Sequence, residues 1–99
     1  MSLLYKLFNI PRTQEEAIDK AKRNNQTVRI ETDFNIWPGY FTGNVGALDT
    51  YESSVIVRVG EKKYVKSYSL KDFMPSREST ETLRNLAEIR AKSLKRMVA

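Results

Sequence analysis

The residues best suited to chemistry in this chain are two tyrosines that alternate with lysine, Tyr64, Lys66 and Tyr68, directly after Lys62 and Lys63. Alternate side chains of an extended strand point to the same face, so the three alternating residues are expected side by side. Proteins that bind single-stranded nucleic acids combine aromatic rings, on which bases stack, with cations that contact phosphates. This run therefore predicts a nucleic-acid contact.

Two further groups extend the candidate site. Trp37 lies between Ile36 and Pro38, in a segment with a strong turn signal, and is either an exposed contact or an anchor folded onto the core. Basic side chains crowd the end of the chain, where they would lie along phosphates or simply form a solvated helix face. These basic residues are Arg90, Lys92, Lys95 and Arg96.

The two tyrosines have a second interpretation. Phe41, Tyr64, Tyr68 and Leu70 together would make the core face of a small barrel. Lys66 lies between the tyrosines and favours at least partial exposure. Both interpretations of Tyr64 and Tyr68 remain open at this level.

Catalysis has little support in the sequence. There is no histidine and no cysteine, so the most common general base, thiol nucleophiles and imidazole or thiolate metal ligands are missing. Gly39, Gly43 and Gly46 are not followed by a helix or by a Lys-Ser/Thr pair, and so do not form a phosphate cradle. We expect a protein that is not an enzyme and needs no metal and no other cofactor.

Composition bounds the class of protein. The chain has 99 residues, is 40% hydrophobic and carries a formal charge of +5, which favours polyanionic partners or serves solubility alone. The excess positive charge lies outside the centre: residues 1–26 carry +2, residues 27–75 carry zero and residues 76–99 carry +3. Without cysteines, a membrane-spanning run or a leader pattern, we expect one cytoplasmic domain, 1–99.

Helices are predicted on both sides of a β-rich centre. Thr13 and Glu16 have the spacing of a capping box and start a helix over about 13–25. Ser76 or Ser79 can cap a second helix over about 79–98. Its apolar stripe could pack on the sheet, self-associate or dock in a partner.

The centre, about 27–74, predicts short strands joined by tight turns. Val28 and Ile30 begin the first strand, and a two-residue turn at Gly60 separates the last two. Glycines inside the second strand suggest a bulge or a sharp bend. We expect strands at 28–31, 40–48, 54–59 and 62–70, with a loop at 33–39 and a turn at 49–53.

Part of this centre resembles a KOW motif, a module of transcription elongation factors and ribosomal proteins. The resemblance covers about residues 28–59 and rests on VRI at 28–30, GYFTGNV at 39–45, Leu48-Asp49 and VIVRV at 55–59. Gly43 matches the glycine at the bend of the motif and Val45 the hydrophobic residue just after it. The chain departs from the pattern with Trp37 in the loop and an extra Gly46. The resemblance implies an SH3-like barrel and binding to RNA, the ribosome or RNA polymerase.

The sequence therefore predicts an α+β fold, a small SH3-like antiparallel β-barrel flanked by an N-terminal and a C-terminal α-helix. The predicted function is a non-catalytic accessory protein that binds RNA, DNA or a nucleoprotein machine and has no membrane partner. The alternative is a protein–protein adaptor or inhibitor that uses the C-terminal helix and the Trp37 loop.

Overall fold

A computed structural model describes residues 11–39, 49–70 and 76–99 of the chain. The fold is α+β, as predicted, with two helices and one three-stranded antiparallel sheet. No helix within the described ranges is long and apolar enough to cross a lipid bilayer. The elements in chain order are α1 (Gln14–Arg23), β1 (Val28–Trp37), β2 (Thr50–Val59), β3 (Lys62–Leu70) and α2 (Arg77–Val98).

The first helix, α1, begins and ends where its sequence predicts. The Thr13 hydroxyl accepts a hydrogen bond from the Glu16 amide at 3.1 Å. The Glu16 carboxylate reaches back to the amide of Arg12 at 2.8 Å, one residue before the partner of a standard capping box. Asn25 follows the helix with a left-handed φ of 54°, a common way for a helix to stop.

The sheet is open in the described residues, with the strand order β1-β2-β3. It is not a closed barrel, so the SH3-like barrel is not confirmed. β1 and β2 pair continuously from Val28↔Val59 to Trp37↔Thr50, with no bulge to bend them. The predicted strand at 40–48, with Gly43 and Gly46, lies outside the described residues, as does Phe41.

Two predicted connections are strand instead. Residues 33–37, predicted as loop, continue β1, because Phe34 and Ile36 keep the alternation that begins at Val28. Most of the predicted turn at 49–53 belongs to β2, which starts at Thr50. The prediction for β3 is confirmed, and the turn before it is the expected one: Gly60 has a φ of +61°, the left-handed geometry that glycine adopts freely.

Both helices pack on one face of the sheet. Ile18 from α1, Val55 and Val57 from β2, and Leu94 from α2 are fully buried and form the centre of the core. Alternation along β2 directs Ile56 to the other side of the sheet, which we call the far face. The far face carries mainly polar and charged side chains, including Arg29, Glu31, Ser54, Arg58, Lys63 and Ser67.

α2 starts two residues earlier than predicted. Ser76 is its cap, because its hydroxyl accepts from the Ser79 amide at 3.2 Å while the Ser79 hydroxyl accepts from the Ser76 amide at 2.8 Å. The predicted apolar stripe is confirmed, since Leu83, Ala87 and Leu94 are all buried against the sheet.

Candidate nucleic-acid interface

The C-terminal end of α1 lies beside the β2–β3 hairpin. Lys20 and Asn24 of the helix line one open cavity of about 510 Å³ together with Gly60 and Lys62 of the hairpin. The direction of α1 follows from its other end. There the side-chain Nε2 of Gln14 donates to the backbone carbonyl oxygens of Val55 in β2 and Tyr64 in β3, each at 2.9 Å.

The C-terminal end of α2 lies at the same end of the molecule. The Nζ atom of Lys22, near the end of α1, donates to the carbonyl oxygen of Met97 at 2.7 Å. Met97 and Val98 pack against the core, as do Val28 and Val59 at the corresponding end of the sheet. The fold thus places two helix C-termini and one hairpin together.

A row of three basic residues crosses the far face at this end. The strand register sets Arg29 beside Arg58 and Arg58 beside Lys63. Neighbouring strands lie about 4.8 Å apart, so the row spans about 10 Å. Glu31 contacts both arginines, at 3.4 Å and 3.2 Å, and so partly neutralises two cations with one carboxylate.

Charge therefore separates along the molecule. We call residues 19–31, 56–65 and 91–99 the basic end, which holds ten basic and three acidic residues, a net charge of +7. The remaining described residues, the opposite end, hold five basic and eight acidic residues, a net charge of −3. A surface with such an excess of one sign attracts polyanions over a distance. The cations of the basic end are Lys20, Lys22, Arg23, Arg29, Arg58, Lys62, Lys63, Lys92, Lys95 and Arg96.

The sequence predicts five of these ten cations as contacts and does not predict the other five. Lys62, Lys63 and three cations of α2 were predicted contacts, while the cations of α1, Arg29 and Arg58 were not. One signal was available for Arg58: the two-residue turn at Gly60 fixes the hairpin register and places Arg58 opposite Lys63. No local pattern indicates that the two helix C-termini meet.

The predicted aromatic contacts lie elsewhere. Tyr64 and Tyr68 share a face as predicted, but both are half-buried and pack against the core. Lys66 is exposed between them, with its Nζ atom 5.8 Å from the centre of the Tyr68 ring. Trp37 is 45% exposed at the far end of β1, away from the basic end.

Arg90, also a predicted phosphate contact, is bound within the protein. Its Nε atom donates to the side-chain oxygen of Gln14 at 3.3 Å, and its guanidinium forms an ion pair with Glu15. Since Gln14 also bonds to the sheet, this cluster ties α1, α2 and the sheet together. Two of the five N–H donors of Arg90 are thus used within the protein, and its side chain is only 26% exposed.

Nowhere in the ranges 11–39, 49–70 and 76–99 do three acidic residues come close enough to hold a metal ion. No protein-family model, no curated protein and no solved structure matches this chain. The KOW resemblance accordingly stays a prediction.

Proposed function

We propose that this chain is a non-catalytic protein that binds nucleic acid, free or within a nucleoprotein machine such as the ribosome or RNA polymerase, through its basic end. The observation that carries the proposal is the gathering of ten basic residues against three acidic ones at one end of the fold. Such an electrostatic footprint is the first mark of a nucleic-acid-binding protein. Binding in the cytoplasm is part of the same proposal.

Few of these cations are neutralised within the described part of the chain. Arg29 and Arg58 share Glu31, and Lys22 bonds to a backbone carbonyl. Lys62 and Lys63 are exposed and have no salt bridge to a described residue. Cations of this kind can release counterions from a phosphate backbone, which is the main source of non-specific affinity.

A matched pair of variants on β3 tests where binding occurs. Lys62→Glu and Lys66→Glu make the same charge change on the same face of the same strand, at the basic end and at the opposite end respectively. We expect a dissociation constant in the range of about 1–100 μM near physiological salt. Lys62→Glu should weaken it about tenfold and reduce the salt slope by at least about one unit, while Lys66→Glu should have little effect.

The measurement is fluorescence anisotropy with labelled single-stranded RNA and duplex DNA, from about 50 to 200 mM salt. Thermal melting of each variant shows that it is folded. Loss of binding in Lys66→Glu but not in Lys62→Glu would move the site along β3, away from the basic end and towards Tyr68. Absence of binding to both probes at low salt would reject the proposal.

A KOW-like, SH3-like barrel is the finer fold that accompanies this proposal. It would require residues 40–48 to pair with an edge strand of the open sheet. Amide hydrogen exchange of the full chain tests this, because a paired strand protects alternate amides. Fast exchange throughout 40–48 would exclude the barrel.

An alternative function, protein association through α2, is favoured by one observation. Ile89 is 66% exposed on the side of α2 that faces away from the core. Along the same side, Glu78 lies near the start of the helix and Arg96 near its end. Two copies of α2 in antiparallel contact would pair these charges across a twofold axis close to Ile89. The partner in this alternative is therefore a second copy of the chain.

Sedimentation velocity over a range of concentrations tests the alternative. We expect Ile89→Glu to abolish a dimer, because it places a charge at the centre of the contact. Gln26→Glu makes the same charge change at an exposed position after α1 and should leave the dimer intact. A wild-type chain that is monomeric at every concentration would reject this function and leave nucleic-acid binding untouched.

A further inference from the structure

Most of the aromatic rings in the described residues lie at the opposite end, away from the excess of cations. Of the described rings, those of Phe34, Trp37, Tyr51 and Tyr68 all belong to the opposite end. Phe34 also has neighbours within the protein: the Arg84 guanidinium lies over its ring, 4.1 Å from the centre, and the Tyr51 ring is tilted against it at a centroid distance of 6.1 Å. A base stacked on these rings would meet a surface with a net charge of −3.

Tyr64 is the one described ring at the basic end, and it has a structural role. It pairs with Val57 in the sheet and packs half-buried against the core. Its carbonyl oxygen accepts the bond from Gln14 that holds α1 in place. A base stacked on both faces of this ring would displace part of the core.

The cations, in contrast, continue around the end of the sheet. Lys62 lies on the helix side of β3 and Lys63 on the far face, beside Arg58 and Arg29. The cations of the two helices flank the helix side. Positive charge is therefore present on both faces of the sheet at the basic end. Such a surface suits duplex nucleic acid, which is wide and highly charged, better than a single strand that binds by stacking its bases.

We propose that the basic end contacts only the phosphate backbone, without base stacking, and that its ligand is duplex nucleic acid. The inference rests on the proposed function and specifies its ligand. A duplex carries one charge per about 1.7 Å of its axis, and each contacted phosphate contributes a salt slope of about −0.9, against about −0.7 for a single strand. Backbone contacts carry no direct sequence information, so binding is also independent of sequence.

Fluorescence anisotropy with the full chain tests this inference. The probes are two 20-base-pair DNA duplexes of different sequence and the corresponding single strands, at about 50 mM salt. We expect the duplexes to bind within about twofold of each other and at least about threefold more tightly than either single strand. Trp37→Leu and Tyr68→Leu should leave duplex affinity within about twofold, while Lys62→Glu lowers it about tenfold.

Emission from Trp37 gives a readout that needs no variant, and it should stay unchanged when duplex binds. Tighter binding of a single strand, lost in Trp37→Leu or Tyr68→Leu and accompanied by Trp37 quenching, would overturn the inference while the proposed function stands. A preference of more than about tenfold between the two duplexes would also overturn it. No binding of any probe by a chain that melts cooperatively would reject the inference and the proposed function together.

Discussion

The two ends of this molecule treat charge differently. At the basic end, Arg29, Arg58 and Lys63 stand side by side and only Glu31 lies among them. At the opposite end, Arg77 pairs with Glu81 and Arg90 with Glu15. Like charges directly opposite each other in a sheet are destabilising. The difference teaches that the basic end keeps neighbouring cations only partly compensated, so we expect a local cost in stability that the opposite end does not carry.

The ends also differ in what lies beneath the surface. Both ends bury aliphatic side chains, for example Leu94 and Val57 at the basic end and Ile18 and Val55 at the opposite end. The buried polar side chains of the described residues, among them Ser53 and Ser54 of β2, all belong to the opposite end. The opposite end is therefore expected to depend on satisfied hydrogen bonds in addition to hydrophobic packing.

The largest effect is expected where the aliphatic core supports the basic end. Leu94→Ala should lower the free energy of unfolding by about 2–5 kcal/mol, because Leu94 is fully buried between α2 and the sheet. Leu86→Ala makes the same change on the same helix at a side chain that is 43% exposed, and should cost only about 0.5 kcal/mol. Urea unfolding measures both. Similar losses in the two variants would show that the core does not sit where we place it.

The next effect concerns the connection between the helices and the sheet. Gln14→Ala should cost about 1–3 kcal/mol, because it leaves two carbonyl oxygens without their side-chain donor and frees Arg90 from one partner. Gln26→Ala removes the same side chain from an exposed position and serves as the control. Thermal unfolding followed by circular dichroism compares them. Equal melting temperatures for both variants would mean that the Gln14 bonds add nothing to stability.

Alanine substitutions at two adjacent serines of the opposite end should change the free energy of unfolding in opposite directions. The Ser53 hydroxyl is buried and has no hydrogen-bond partner among the described residues, so Ser53→Ala should stabilise the protein by up to about 1 kcal/mol. The Ser54 hydroxyl lies 2.9 Å from that of Ser67 and donates to Glu52 at 3.3 Å, so Ser54→Ala should destabilise it by about 1 kcal/mol. Chemical denaturation of both variants tests the pair. A loss of stability in Ser53→Ala would indicate that this hydroxyl has a partner in solution.

The smallest expected change in stability is the one that compares the charges of the two ends most directly. Lys63→Glu should raise the free energy of unfolding by at most about 1 kcal/mol, because it replaces a repulsive neighbour of Arg58 with an attractive one. The same change should weaken duplex binding about tenfold. Arg77→Glu makes an equal charge change at the opposite end and breaks the pair with Glu81. It should lower stability slightly and leave binding unchanged, and the reverse pattern would contradict the assignment of the two ends.

The boundaries of the helices and of β3 could be read from short stretches of sequence. Thr13, Ser76 and Gly60 act on amides or dihedral angles within a few residues, so their effects are visible locally. The longer strands were harder to predict. The turn signal at Pro38-Gly39 marks the end of β1. The predicted loop, however, also included residues 33–37, where the period-two alternation of β1 continues.

The candidate site was only partly predictable. Lys62 and Lys63 stand out as neighbours in the sequence, whereas Arg29 joins them only through two strand pairings. Arg90 looked like a member of a basic helix face, but a side chain 76 residues away holds it. Tyr64 and Tyr68 had two open interpretations, and burial against Val57 and its neighbours favours the core for both.

The sequence by itself determined the helix caps, the Gly60 turn, the alternation of the strands and the net charge of +5. Each of these depends on residues close together in the chain. Only the tertiary structure decided that the central segment, neutral in sum, places four of its five described cations at one end of the sheet and three of its five described acids at the other. Register and helix direction set that separation, and both are fixed by burying one apolar face of the sheet beneath two helices.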